Sequence, residues 1–131
     1  MTDGIEDDVE RATSAFDRLS EDQQALVGLC LRAVVDGPYI SDDGEFQTVM
    51  GVTRAQTAAV AAAWPDPTGA PYTFVAVNNA LNNLLGYPHK HWPELSEYLG
   101  ADSGPVVAAL ARWRGRNLPE DAGMRYFGSL E

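Results

Sequence analysis

Cysteine is nearly absent from this chain, because Cys30 is the single example in 131 residues. One cysteine cannot form a disulfide within the chain, and Cys30 lies between two leucines in an apolar run. This usage favours a reducing, cytoplasmic setting. The chain also lacks an apolar run of the ~18 residues that a membrane-spanning helix needs, and residues 1–6 are neither basic nor apolar. We therefore expect neither a signal peptide nor a membrane span.

Basic side chains are also scarce. Lys and Arg together number nine against nineteen Asp and Glu, which gives a formal net charge of −10, and residues 1–24 alone carry eight acids and two arginines. Such a field repels phosphate backbones and speeds association with a basic partner, although the same charge also keeps a small protein soluble. The bias towards arginine, with Lys90 as the single lysine, and the abundance of alanine are typical of high-GC bacterial coding.

A shift of 49 residues brings the sequence onto itself without a gap. When residues 25–65 are compared with residues 74–114, five positions are identical and apolar character matches at several others. The identical pairs are Gly37 with Gly86, Glu45 with Glu94, Gly51 with Gly100, Ala59 with Ala108 and Trp64 with Trp113. This spacing predicts a tandem duplication whose two copies can be compared with each other.

Helical patterns cover most of the chain, and no segment has a convincing strand pattern. Residues 5–18 place apolar side chains at spacings of three and four, which predicts an amphipathic first helix. Ser20 and Thr53 are each followed three residues later by Gln, the pattern of a capping box at a helix N-terminus. A short helix is expected over residues 45–50, and Ser103 is expected to cap the last helix.

The predicted fold is all-α and consists of one domain over residues 1–131. An amphipathic N-terminal helix precedes two copies of a three-helix unit, each with a long, a short and a medium helix. The expected divisions are an N-terminal helix at 1–20, repeat one at 25–65, a linker rich in Pro and Gly at 66–72, repeat two at 74–114 and a packed tail at 115–131.

The two copies differ most in the long helix. Repeat two carries two adjacent asparagine pairs one turn apart, at positions where repeat one is apolar, and this spacing places the amides on one face. Asparagine is a mediocre helix former, so four of them imply a compensating role, either as a wettable surface or as hydrogen-bonding groups for a partner. The four residues are Asn78, Asn79, Asn82 and Asn83.

The loop after this helix concentrates aromatic and titratable side chains. Tyr and Trp are favoured anchors in protein interfaces because they bury a large area and keep a polar group. We therefore expect this loop to extend the partner-binding surface. Its candidate residues are Tyr87, His89, His91 and Trp92.

A metal site is a weaker alternative at the same place. His89, His91 and Glu94 supply three possible ligands within six residues, a set that suits zinc or another divalent ion. Glu94 has a counterpart in Glu45, where no histidine is near, so a role at a helix start is the simpler interpretation. The sequence predicts no bound metal and no cofactor.

Residues 45–56 resemble a helix-turn-helix unit, with a short helix, the turn at Gly51 and the start of a second helix at Arg54. The resemblance implies a DNA-binding regulator as an alternative function. A DNA-binding helix is expected to carry a basic footprint, whereas here one arginine is followed by a run of alanine and other small residues.

The sequence contains no motif for enzymatic catalysis. Residues 100–104 place Ser103 between glycines without the spacing of a nucleophile elbow, and no phosphate-binding or dinucleotide-binding glycine pattern occurs. We therefore expect a small non-enzymatic interaction module that binds a basic protein partner, by analogy an immunity or inhibitor protein. The alternatives left open are a DNA-binding regulator and a metal-dependent enzyme.

Overall fold

The computed structural model describes residues 3–87 and 90–116, and the side chains of the first helix from Asp8 onward. Within these ranges the chain forms seven helices and no strand, which confirms the all-α prediction for the described residues. The tandem duplication stays a prediction, and the predicted tail lies outside the described residues from 117 onward. The helices are α1 (Asp3–Arg18), α2 (Glu21–Asp36), α3 (Asp43–Met50), α4 (Arg54–Ala63), α5 (Thr73–Gly86), α6 (Trp92–Leu99) and α7 (Ser103–Trp113).

Both predicted capping boxes are present. Ser20 Oγ accepts from the Gln23 amide at 3.1 Å, and the Gln23 side chain accepts from the Ser20 amide at 3.0 Å. Thr53 and Gln56 exchange the same pair of hydrogen bonds at 3.0 and 2.8 Å. Each box satisfies two amide groups that a helix start otherwise leaves without partners. Local sequence therefore fixes where α2 and α4 begin.

Two helix starts differ from the expectations. α3 begins at Asp43, earlier than predicted, because Asp42 Oδ2 accepts from an amide in its first turn at 2.7 Å. Ser103 is wrong as a cap, since it is the first helical residue of α7 and Asp102 takes the N-cap position without a side-chain cap bond. The Asp102 carboxylate instead accepts from Ser96 Oγ at 3.2 Å, which links it to α6.

Helices α2 and α5 form the centre of the fold, since they pack against each other and against most of the remaining helices. α4 packs against α2, and α7 packs against α5. The two short helices pack crosswise, which means that each packs on the long helix that does not directly precede it: α3 packs on α5, and α6 packs on α2. Each predicted repeat therefore places its short helix on the long helix of the other repeat.

The start of α5 lies against α1. Tyr72, the residue before α5, has a left-handed φ of 65° and no side-chain cap bond. Asp8 of α1 is buried beside this first turn, where the backbone amides of Thr73, Phe74 and Val75 act to lower the pKa of its carboxyl group although burial raises it overall, and its Oδ2 has no hydrogen-bond partner among the described residues. A carboxylate near a helix N-terminus interacts favourably with the unpaired amides, so Asp8 contributes to the contact between α1 and α5.

Two tryptophans join the medium helices to the long ones. The indole Nε1 of Trp64 donates to Gln24 O at 2.8 Å, and that of Trp113 donates to Phe74 O at 3.0 Å. Their rings lie 5.9 Å apart between centroids, and Phe16 of α1 meets Trp64 edge-on at 5.3 Å. Aromatic pairs at such distances stabilise a fold beyond what the burial of their apolar area contributes. The end of each medium helix is thereby tied to the start of its own long helix.

Candidate functional site

The loop between α2 and α3 meets the loop between α5 and α6. The ring of buried Tyr39 meets the His91 ring edge-on, with 5.9 Å between centroids. The Tyr87 hydroxyl donates to the Glu45 carboxylate of α3. Of the residues predicted to bind a partner, Tyr87 therefore lies beside the first turn of α3, and His91 lies beside Tyr39 in the loop before it. Both contacts join segments far apart in the sequence.

Local backbone preferences place the side chains of the second loop. Lys90 has a left-handed φ of 62°, a conformation that non-glycine residues seldom adopt. α6 then begins at Trp92, with Pro93 in its first turn, where the missing amide hydrogen costs nothing. Trp92 is half-buried and packs against the hydrophobic core. It is therefore held in place while part of the residue stays accessible to solvent.

Exposed carboxylates surround these aromatic rings. Asp42 and Glu45 lie in or before the first turn of α3, Glu94 lies in the first turn of α6, and all three are exposed. One turn further along α6, Tyr98 is 49% exposed, which is unusual for a large aromatic side chain. We call this set the acidic aromatic surface, and it consists of Asp42, Glu45, Tyr87, His91, Trp92, Glu94 and Tyr98.

The pKa values of two tyrosine hydroxyls at this surface are raised. The pKa of Tyr87 is raised, first by its hydrogen bond to Glu45, then by burial, and also by the charges of Glu45 and Asp42. The pKa of Tyr39 is raised mainly by burial, and then by Glu94 and Tyr98. A neighbouring negative charge disfavours a phenolate, so Glu45 and Asp42 near Tyr87, and Glu94 near Tyr39, add to the shifts that the hydrogen bond and burial cause.

Two of the four predicted asparagines hold the end of α3. Asn79 Nδ2 donates to Met50 O at 2.7 Å, and Asn83 Nδ2 donates to Val49 O at 3.1 Å. The last carbonyls of a helix lack partners within it, so these amides satisfy groups that would otherwise stay unpaired. Their role as partner-binding residues stays a prediction, since both side chains are half-buried and already make hydrogen bonds within the chain.

The other pair of asparagines turns towards the end of α7. Asn78 Oδ1 accepts from Arg114 Nε at 2.7 Å, and Asn82 Oδ1 accepts from Arg114 Nη2 at 3.5 Å. Asn82 is exposed, whereas Asn78 is half-buried and also donates to Asn79 Oδ1 at 2.9 Å. The four amides thus serve two different neighbours, and the partnership with Arg114 could not be read from helical spacing alone.

The weaker metal site cannot be assembled from the described residues. His89 lies outside them, and no group of three His, Cys, Asp or Glu side chains within residues 3–87 and 90–116 is arranged to hold a metal ion.

The arginine of the helix-turn-helix resemblance is engaged within the chain. Arg54 donates to Val35 O at 2.7 Å, to the carbonyl of Ile40, and to Asp43 Oδ1 at 2.7 Å. Its guanidinium also lies 4.3 Å from the centroid of the Phe46 ring. Arg54 therefore ties α4 to the end of α2 and to α3, and these contacts occupy donors that a phosphate contact would need.

Comparisons with protein-family models, with curated proteins and with solved structures give no match to this chain. None of the helices in the described part combines the length and the hydropathy needed to cross a bilayer. The chemistry of the side chains themselves is therefore the basis for assigning a function.

Proposed function

We propose that this chain is a non-enzymatic interaction module that binds a basic protein partner through the acidic aromatic surface. The observation that carries the proposal is the meeting of two loops: the Tyr87 hydroxyl contacts Glu45 near Asp42, and the His91 ring packs against Tyr39, with Trp92 next in the chain. Aromatic anchors next to carboxylates suit a partner surface rich in arginine and lysine, because guanidinium groups both stack on rings and pair with carboxylates.

Charge distribution supports a basic partner over nucleic acid. The whole chain has a net charge of −10, and the carboxylates of Glu45 and Glu94 form no ion pair with a basic residue of the described part. These charges are available to steer a basic protein and would repel phosphates. An immunity or inhibitor protein that covers a basic active-site surface is the functional class that this arrangement resembles by analogy.

We also propose that the fold arose by tandem duplication of a three-helix unit. In support, five buried residues of α2 have buried counterparts in α5, each 50 residues later in the sequence. The carbonyls that accept from Trp64 and Trp113, those of Gln24 and Phe74, are also 50 residues apart. The short helices and the left-handed Gly51 and Gly100 recur at 49, because the loop between α5 and α6 is one residue shorter than the loop between α2 and α3. The ungapped shift of 49 residues therefore does not describe the long helices. The matched buried residues are Leu26, Val27, Cys30, Leu31 and Val34 in α2, and Ala76, Val77, Ala80, Leu81 and Leu84 in α5.

The test is quantitative affinity purification with the full chain, followed by calorimetry with the captured protein. We expect a basic partner whose affinity falls at least ~tenfold in Glu45→Gln/Glu94→Gln, because close charge pairs at interfaces are worth ~1.5 kcal/mol or more. Trp92→Ala is expected to weaken binding by a similar factor through lost contact area. Affinity should also fall as salt is raised.

A matched control removes the same charge elsewhere. Asp17→Asn/Glu21→Gln neutralises two exposed carboxylates on α1 and α2 and should change affinity less than ~threefold, as expected of charges outside an interface. Equal losses in both double variants would mean that overall charge, and not this surface, drives binding. An acidic partner, or binding that survives both surface variants, would contradict the proposal.

A further inference from the structure

A second surface has the opposite chemistry. A groove of about 210 Å³ lies between the end of α5 and α7, and its floor is apolar, formed by Leu85, Val107, Leu110 and Ala111. Its rim carries Arg114 and Arg116. Pockets for drug-sized ligands measure ~300–1,000 Å³, so this groove fits a smaller molecule.

The end of α7 holds Arg116 at this rim. Gly115 has a left-handed φ of 79°, its amide donates to Arg112 O at 3.0 Å, and the Arg116 amide donates to Ala111 O at 2.7 Å. These two bonds form a Schellman motif, which fixes the chain direction after the helix. The backbone of Arg116 is therefore positioned by the turn.

Arg114 is oriented by neutral groups. Its Nε and Nη2 donate to the side-chain oxygens of Asn78 and Asn82, at 2.7 and 3.5 Å. Amide oxygens orient a guanidinium without neutralising its charge. Neither Arg114 nor Arg116 forms an ion pair within the described part of the chain, although acids outnumber bases two to one in the sequence.

Neither arginine is needed to satisfy the end of α7. Arg18 of α1 performs that role, because its Nε donates to Arg112 O at 2.8 Å and its Nη2 donates to Trp113 O at 2.7 Å. The last carbonyls of α7 thus have partners, and the positive charge at the groove has no counterpart among the described residues.

We propose that this groove binds a small apolar carboxylate, such as a medium-chain aliphatic acid. The aliphatic part would lie on Leu85, Val107 and Leu110, where it gains the free energy of removing apolar surface from water. The carboxylate would accept from the remaining N–H groups of Arg114 and from Arg116, because a guanidinium matches a carboxylate with two parallel hydrogen bonds. This site is separate in its chemistry from the acidic aromatic surface and does not depend on the proposed function.

Octanoate is a suitable probe, with octan-1-ol as the matched neutral molecule. Titration of the full chain, followed through the methyl NMR signals of Val107, Leu110 and Ala111, should show saturable shifts with octanoate. We expect octan-1-ol to bind at least ~tenfold more weakly, because it lacks the charge-assisted hydrogen bonds. Absence of saturable shifts at these methyl groups, or equal binding of the alcohol, would overturn the proposal.

Variants separate the local contact from overall charge. Arg114→Gln and Arg116→Gln should each weaken octanoate binding by ~tenfold, whereas Arg32→Gln, which removes an exposed charge from α2, should change it less than ~twofold. Ala111→Leu keeps the charge but fills the floor, and should also abolish binding. Unchanged affinity in Ala111→Leu, or an equal loss in Arg32→Gln, would refute the site even if Arg114→Gln proved unstable.

Discussion

The side-chain amide of Asn79 donates to the backbone carbonyl of Met50 across 2.7 Å, and so joins α5 to the last turn of α3. A half-buried carbonyl at a helix end has no partner within its own helix, and loss of the donor leaves it unpaired. This contact crosses from one predicted repeat to the other.

Asn79→Ala should therefore destabilise the protein. We expect the free energy of unfolding to fall by about 1–2 kcal/mol, since removing one partner leaves a partly buried acceptor unsatisfied. Urea denaturation measures the change. Asn82→Ala is the control, because Asn82 is exposed and its bond to Arg114 is long at 3.5 Å, and it should change stability by less than ~0.5 kcal/mol. A smaller effect for Asn79 than for Asn82 would contradict this account.

The contacts of Trp64 and Trp113 predict that replacing either residue destabilises the protein. Trp64→Phe and Trp113→Phe each remove one indole hydrogen bond to a backbone carbonyl and part of an aromatic contact. We expect a cost of about 1–3 kcal/mol each, with the larger cost at Trp113, which is fully buried. Because the rings touch, the double variant should cost less than the sum of the two. Thermal and urea unfolding of the three variants tests this, and strict additivity would argue against coupling of the rings.

The burial of Asp8 predicts that its contribution to the stability of the protein falls as pH rises. Its pKa is raised above the ordinary value for an aspartate, mainly by burial, although the amides of Thr73, Phe74 and Val75 and the charge of Arg11 oppose the shift. A group with a raised pKa in the folded state stabilises the protein most below its unfolded pKa, and this contribution is lost as pH rises through the folded pKa.

The comparison with Asp8→Asn isolates that contribution. The free energy of unfolding of the natural chain, minus that of the variant, should be largest near pH ~3.5 and should fall towards a plateau by pH ~7. Urea unfolding across this range measures it. A difference that grows with pH would show that the nearby amides outweigh burial and that the pKa of Asp8 is lowered.

Cys30 is expected to be chemically inert in the folded protein. It is fully buried in α2, and burial raises the pKa of its thiol to about 12. Since the thiolate is the reactive form, a disulfide reagent at pH ~8 should react only after the chain unfolds. Reaction should therefore become fast in urea above the unfolding midpoint. Rapid labelling of the native protein would mean that α2 opens locally without global unfolding.

Local features were predictable because they need only neighbouring residues. The capping boxes at Ser20 and Thr53 follow from four-residue patterns. Where two patterns compete within one turn, as at Asp102 and Ser103, local signals are not enough, and the prediction of Ser103 as the cap was wrong. Helix number and order follow from such signals.

The candidate site was only partly predictable. The grouping of Tyr87, His91 and Trp92 follows from their closeness in sequence, whereas the contacts with Tyr39 and Glu45 depend on how α2, α3 and α6 pack. Packing also decides that Asn79 and Asn83 face backbone carbonyls of α3, which helical spacing cannot reveal. Tyr98 carried a usable signal, because it lies one turn after Glu94 on the same side of α6.

The crosswise packing of α3 on α5 and of α6 on α2 makes the two halves mutually dependent. A chain severed between Trp64 and Thr73 would leave each fragment with a short helix whose apolar side has lost the surface it covers. Segments far apart in the sequence must therefore come together before the last apolar area is buried. Folding is expected to be slower than in a helical bundle in which each helix packs on the next one in the sequence. Because the two halves depend on each other, a ligand that binds one half is also expected to stabilise the other half against unfolding.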